Sequence, residues 1–374
     1  TYAIALASAG HPAATGFLAA LSNSMVDERV EAWRIIDAMR RLSWSDTDYW
    51  LSQLRGDSKE AARWRYFSGK SASAQGKNMA AMSIWQPLSS ELNYYGFLAR
   101  AQLGQQSKIA APTLNVAPET LAQVRELPAV KRAKELLAIN RVVPARREWQ
   151  ALLDTLDQSQ TQAVAMIAHE WGWNDRTIFS LARAPAPGAW ELRFPTEYAD
   201  KLGSETDRHD LDTTWAFAIT RQESAFMSDA KSPAGALGLM QLMPETARMT
   251  AKKHRIRFNG THDLISPQQN IKIGVAHLAD LIEKNEGNFV YATAAYNAGQ
   301  GRVNRWKTQF GELPLDIWIE TIPYSETQQY VKNVMAFSYI YADRLDKPTS
   351  VFDYLSRQIG IAPTAQGQAI NTTP

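Results

Sequence analysis

Glu223 stands where an apolar-periodic segment runs into a glycine-containing stretch; residues 221–243 read Arg-Gln-Glu-Ser-Ala-Phe-Met-Ser-Asp-Ala-Lys-Ser-Pro-Ala-Gly-Ala-Leu-Gly-Leu-Met-Gln-Leu-Met. Upstream, Asp212 is a helix cap, and Trp215, Ala218, Ile219 and Gln222 recur at helical spacing, so Glu223 falls in the last turn. The negative end of a helix disfavours an ionised carboxylate. Phe226, Leu239 and Met243, as neighbours that strip water from the carboxyl, would raise its pKa further. A carboxyl that keeps its proton near neutral pH is suited to general acid catalysis.

Other chemistries find less support. His169-Glu170 begins a zinc-protease pattern, but the second histidine is missing because Trp173 occupies its place. Ser224 has no G-x-S-x-G elbow around it and no histidine near it in sequence. The absence of cysteine excludes disulfides, thiolate nucleophiles and thiolate metal sites. With a formal net charge of +2 and no long basic run, the chain gives little support for a nucleic-acid partner. No stretch approaches the roughly 20 apolar residues of a membrane span, and no signal-peptide pattern opens the sequence. The start at Thr1-Tyr2-Ala3, without an initiator methionine, predicts a processed or partial chain.

The elements that must hold Glu223 read as helices throughout. At 374 residues the chain has room for two or three domains. Residues 1–120 form short helical stretches, with Trp33 and Trp64 about 31 residues apart in similar surroundings, a period that fits an α-solenoid. Residues 121–189 are helices punctuated by Pro144 and by Trp171-Gly172-Trp173-Asn174, and Ala184-Pro185-Ala186-Pro187-Gly188 marks a boundary. In residues 190–374, Ser266-Pro267 opens a helix whose stripe includes Leu278, Leu281 and Ile282 before Gly287. Ser325 with Gln328 predicts a capping box for a helix through Tyr330, Val334, Phe337 and Ile340. Strand signals are nearly absent, so the fold class is all-α.

Four segments of the last region carry unusual polar and glycine content and are candidates for one cleft: Glu223-Ser224, the stretch from Ser232 to Gln241, the run from Ala295 to Val303, and the stretch from Glu320 to Tyr330. In this order and at these separations they closely resemble the soluble lytic transglycosylases, peptidoglycan-cleaving proteins with a lysozyme-like catalytic domain. The likeness is densest over 220–243 and 294–303, extends through Ile322-Pro323, Glu326-Thr327 and Tyr330-Val331, and covers roughly 190–345. Thr220, Leu237 and Gln300 depart from the usual pattern without removing a functional group. The resemblance implies an α-superhelical region over 1–120, a helical linker domain over 121–189 and a catalytic domain over 190–374. The superhelical part is too short to close a ring, which predicts a C-terminal fragment of a larger protein.

Glycoside cleavage ordinarily uses two carboxyl groups. Asp229, six residues past Glu223, suits a solvated turn better than a second acid, and the resemblance makes Glu320 a groove-lining residue that orients substrate. The implied reaction needs one acid. The substrate's N-acetyl oxygen stabilises the developing cation, and its own 6-hydroxyl replaces water. Glu223 then acts as acid and afterwards as base, leaving a 1,6-anhydromuramoyl end.

The remaining positions have tasks within this expectation. Ser232 and Gln241 hydrogen-bond sugar hydroxyls or the acetamide; Met240 and Met243 offer adaptable apolar surface, at least one of them as core. Tyr296 stands beside Glu223 or the N-acetyl group, and Asn297 holds the loop or the substrate. Gly235 and Gly238 serve tight turns and close approach of a sugar. Arg302, Arg305 and Trp306 either meet peptide carboxylates or form a solvated helix face. The resemblance implies no metal and no organic cofactor, a periplasmic location in a Gram-negative bacterium, peptidoglycan strands as partner, and other cell-wall enzymes as a further partner class. A goose-type lysozyme using water, and a glycan-binding scaffold without catalysis, are the competing readings.

Overall fold

The computed structural model describes residues 2–105, 112–348 and 350–359; the remaining parts of the expected first and third domains lie outside the described residues. Helices account for the regular structure there, as expected. They are joined by turns, two short 3-10 segments at Asn23–Met25 and Thr261–Ile265, and two isolated antiparallel bridges, Lys231 with Leu237 and Leu237 with Leu242.

Two compact units emerge. The first contains the described residues of Thr1–Lys108, Leu278–Tyr339 and Pro348–Pro374; the second contains those of Ile109–His277 and Ile340–Lys347. This division differs from three consecutive segments, because helices after Leu278 pack on the N-terminal helices rather than only on their sequence neighbours. The helix Leu315–Thr321 lies against Glu28–Arg40, and Gln309 Nε2 donates to the Ala9 carbonyl at 3.2 Å.

In the first unit, helices Ala62–Ala74 and Asn78–Leu88 form a hairpin across Gly76, whose φ of 75° places it in the left-handed region. Gly69 sits mid-helix, where glycine costs about 1 kcal/mol against alanine. A β-carbon there would collide with the Trp85 indole, which donates from Nε1 to the Tyr66 carbonyl at 3.1 Å. Close packing therefore decides the residue. Phe97 stacks on Tyr339 with ring centroids 4.4 Å apart, and Phe352 of the helix Ser350–Gln358 meets Tyr339 edge-on at 5.1 Å.

The second unit has a core over residues 124–173 built from Val124, Val130, Trp149, Leu153, Val164, Ile167 and their neighbours. Trp149 is fully buried, and its Nε1 donates to Ser180 Oγ at 3.0 Å. Asp157 caps the helix Gln158–Glu170 in a capping box with Gln160, a signal not singled out in the sequence. Glu170, the partner of His169 in the incomplete zinc pattern, is held by Arg125 at 2.6 Å. Farther along, Tyr341 packs on Phe217 at 4.9 Å and donates from its hydroxyl to the Pro195 carbonyl at 3.2 Å.

Candidate active site

The helix carrying Glu223 runs over Thr213–Ser224 and begins as its sequence predicts. The Asp212 carboxylate accepts from the Thr214 and Trp215 amides at 2.7 and 3.3 Å, satisfying N–H groups the helix cannot pair internally. Trp215, Phe217 and Ile219 are fully buried and anchor the helix. Its far end is stopped without glycine. Ala225 and Phe226 adopt φ of 50° and 66°, a left-handed conformation that costs roughly 1–2 kcal/mol per residue without glycine. The Ala225 amide closes on the Arg221 carbonyl at 3.2 Å. Glu223 is thereby held in the last turn, at the negative end of the helix, with its side chain partly buried. Phe226 and Leu239 are buried, whereas Met243 is 42% exposed.

The following loop is closed by its own polar groups. Ser232 Oγ accepts from the Ala236 amide at 3.0 Å, and Leu237 and Leu242 exchange two backbone bonds of 3.0 Å. Gln241, at φ 45°, donates from Nε2 to the carbonyls of Gly238 and Ala230 at 2.8 and 3.2 Å. Both polar side chains expected to meet the sugar thus also shape the loop. Gly238, with φ 78°, could not carry a β-carbon, because it would meet the Leu264 carbonyl and the Asn270 amide. Gly235, with φ 93°, faces open space. Met240 is fully buried over Gly274, whereas Met243 caps the helix Pro244–Lys253 and is exposed.

Asn270, fully buried on the helix Pro267–Lys284, was missed by sequence reasoning. Its Oδ1 accepts from the Met240 amide at 2.8 Å, and its Nδ2 donates to the Leu237 and Leu264 carbonyls at 2.9 and 2.8 Å. One side chain satisfies three backbone groups across the loop. The only available signal was a polar residue on an otherwise apolar helical face.

Asp229 stays 44% exposed, as a solvated turn residue would, but is also held in an ion pair. Arg146 grips it bidentately, at 2.8 and 2.7 Å, while its Nε holds Asp175 at 2.9 Å. The hydrogen bonds from Arg146 keep the Asp229 carboxyl below the usual range against the opposing effect of partial burial.

Tyr296 and Asn297 lie, partly buried, in the last turn of the helix Phe289–Ala298 in the first unit. Asn297 Oδ1 accepts from Thr327 Oγ1 at 2.7 Å. Gly299, at φ 85°, joins this helix to Gln300–Phe310. An open concavity adjoins Asn297, lined by Arg302, Tyr324, Glu326 and Thr327 among others; the Arg302 guanidinium stands 5.6 Å from the Tyr324 ring centroid.

Glu320 is placed differently from the expectation that it lines a groove. Its side chain is fully buried and is surrounded by donors. Tyr95 donates to Oε1 at 2.7 Å, Lys332 approaches the same oxygen at 2.9 Å, and Arg63 pairs with Oε2. Burial pushes its pKa up, but Arg63, Lys332 and the Tyr95 bond outweigh burial and hold it below the ordinary value. Burial pulls Lys332 down to about 8. The expected capping box is also replaced: Gln328 turns its amide to the Glu320 carbonyl at 2.9 Å, and Ser325 is already the first helical residue. Among the described residues, no three His, Asp or Glu side chains group as a metal site, and no helix is long and apolar enough to cross a membrane.

The described regular structure is all-α; the second unit presents an acid at a helix end followed by a glycine-bearing loop, and the first unit a tyrosine-asparagine helix end. The family described as Transglycosylase SLT domain matches residues 201–319, the Soluble lytic murein transglycosylase L domain matches 123–190, and the Soluble lytic transglycosylase helical domain matches 321–349. A soluble lytic murein transglycosylase of Salmonella typhimurium is 32% identical over 323 residues, 86% of this chain and 49% of its own length. The structure of an inactive mutant of the lytic transglycosylase Slt from Pseudomonas aeruginosa matches with a TM-score of 0.90 and 36% identity, covering 92% of this chain and 56% of that one. The 70 kDa soluble lytic transglycosylase of Escherichia coli matches at 0.80 with 28% identity, covering 90% and 53%. The chain belongs to the soluble lytic transglycosylase family. It spans about half the length of the curated relatives it matches.

Proposed function

We propose that this chain cleaves the β-1,4 bond between N-acetylmuramic acid and N-acetylglucosamine in peptidoglycan and leaves 1,6-anhydromuramoyl ends. The placement of Glu223 in the last turn of its helix carries the reading, because the negative end of a helix favours the protonated acid. Glu223 gives its proton to the glycosidic oxygen as the C–O bond breaks. The sugar's N-acetyl oxygen stabilises the cation at the anomeric carbon, and the 6-hydroxyl of the same sugar forms the new bond while returning its proton to Glu223. No water is consumed. Intramolecular attack gains from high effective concentration.

Ser232, Gln241, Met243, Tyr296 and Asn297 are the side chains assigned to the glycan in this scheme. Met243 supports the assignment by offering exposed apolar surface beside the loop. Glu320, enclosed by Tyr95, Arg63 and Lys332, is left out of direct contact. Similarity to murein transglycosylases favours peptidoglycan strands as the partner and the periplasm of a Gram-negative bacterium as the location.

Mass spectrometry of peptidoglycan digests, comparing the chain with Glu223→Gln, tests the proposal. Muropeptides about one water lighter than hydrolysis products, absent with the variant, are expected. Reducing ends would move the chain to the water-using class, and binding without products from either protein would make it a scaffold.

A further inference from the structure

We infer that Arg63 and Tyr95 of the N-terminal helices are positioning residues for the Tyr296-Asn297 helix end, acting through Glu320, Lys332, Gln328 and Thr327. The inference rests on the reading above that this helix end meets the glycan.

Glu320 is used twice. Its fully buried carboxylate receives Tyr95, Lys332 and Arg63, and its backbone carbonyl accepts the Gln328 amide at 2.9 Å. Gln328 Oε1 in turn accepts from Lys332 Nζ at 3.1 Å. The carboxylate, Lys332, Gln328 and the Glu320 carbonyl therefore close a polar ring that spans the turn between helices Leu315–Thr321 and Ser325–Arg344. Thr327, next in sequence to Gln328 and 3% exposed, donates to Asn297 at 2.7 Å. A displacement of the ring moves Thr327, and with it the side chain that orients Asn297.

A buried ion pair that served stability alone could be replaced by apolar side chains without loss. Here one residue supplies a carboxylate to the pair and a carbonyl to the turn; an apolar substitute would keep the carbonyl for Gln328 but leave Lys332 without the carboxylate that links it to Arg63 and Tyr95. Arg63 and Tyr95 are the donors contributed from outside the turn. They fix the carboxylate, which fixes the ring.

Hydrogen exchange on the intact chain tests this without reference to turnover. Arg63→Met and Tyr95→Phe are expected to raise amide exchange at residues 295–299 and 322–328 by about tenfold while leaving 228–243 unchanged. Arg63→Lys, which keeps the charge, is expected to restore protection. On peptidoglycan, combining Arg63→Met with Asn297→Ala should slow product release no more than Asn297→Ala alone, within about twofold.

Unchanged exchange at 295–299 in both variants, or losses that multiply in full, would overturn the inference. If Arg63→Met does not fold, Tyr95→Phe, which removes one hydroxyl, decides both measurements. A wild-type chain that releases no products would remove the proposed activity, and the exchange data would still decide the positioning.

Discussion

The side-chain amide of Asn270 and the Leu264 carbonyl it binds both occupy the space that a β-carbon on Gly238 would need. Loop and helix are therefore fitted to each other at a point where neither can yield. Gly238→Ala forces a clash with backbone as well as a left-handed φ, and is expected to cost about 3 kcal/mol or more. Gly235→Ala meets open space and should cost only about 1–2 kcal/mol, the left-handed penalty. Denaturant midpoints of the two variants check the contrast; equal losses would mean that dihedral strain alone selects both glycines.

Asn270→Ala leaves the Met240 amide and the carbonyls of Leu237 and Leu264 without their partner. A loss of about 3 kcal/mol is expected from that desolvation, and product release should fall with it because the loop beside Glu223 is released. Asn270→Asp keeps an acceptor for Met240 but turns a carboxylate toward two carbonyls, so it should be no better than alanine. A fully stable Asn270→Asp protein would show that the amide donor is dispensable.

Much of the arrangement was legible along the chain. The start and span of the Glu223 helix follow from Asp212 and a 3.6-residue apolar period, both local features with local causes. Contacts between distant segments leave no such trace: Asn270 meets an amide 30 positions earlier, and Tyr95 meets Glu320 across 225 positions. Glu320 illustrates the difference. In sequence it is an acid within a polar, family-like segment, and only the folded chain brings Arg63, Tyr95 and Lys332 around it. Ser325 and Gln328 had the spacing of a capping box, but the buried Glu320 carbonyl and Lys332 compete for the same amide and take it.

Asp229 provides a test of how many acids the chemistry needs. Because Arg146 holds both of its oxygens, it is committed to linking two segments of the second unit. Asp229→Asn is expected to keep turnover within about threefold, whereas Glu223→Gln should lose on the order of 10²–10⁴, the range for removing general acid catalysis. Clearing of a peptidoglycan suspension measures both. A loss at Asp229→Asn as deep as that at Glu223→Gln would make it a second catalytic acid.

Acid stability should report on Glu320. Its folded pKa lies below the ordinary glutamate value of about 4.3, because Arg63, Lys332 and Tyr95 together outweigh burial. Between those two values the unfolded chain binds more protons than the native one. The stabilisation from this residue is therefore complete above about pH 4.3 and is lost as pH falls through the folded pKa. Glu320→Gln should be less stable at neutral pH and show a shallower acid decline, so that its unfolding midpoint approaches that of the wild type at low pH. Asp37 and Asp229, whose pKa values are also lowered, keep a residual slope in the variant. Lys332 has the same sign at alkaline pH: with its folded pKa at about 8 against about 10.4 unfolded, it makes stability rise with pH across that interval. An acid slope unaltered by Glu320→Gln would mean that its charge is not what the three donors stabilise.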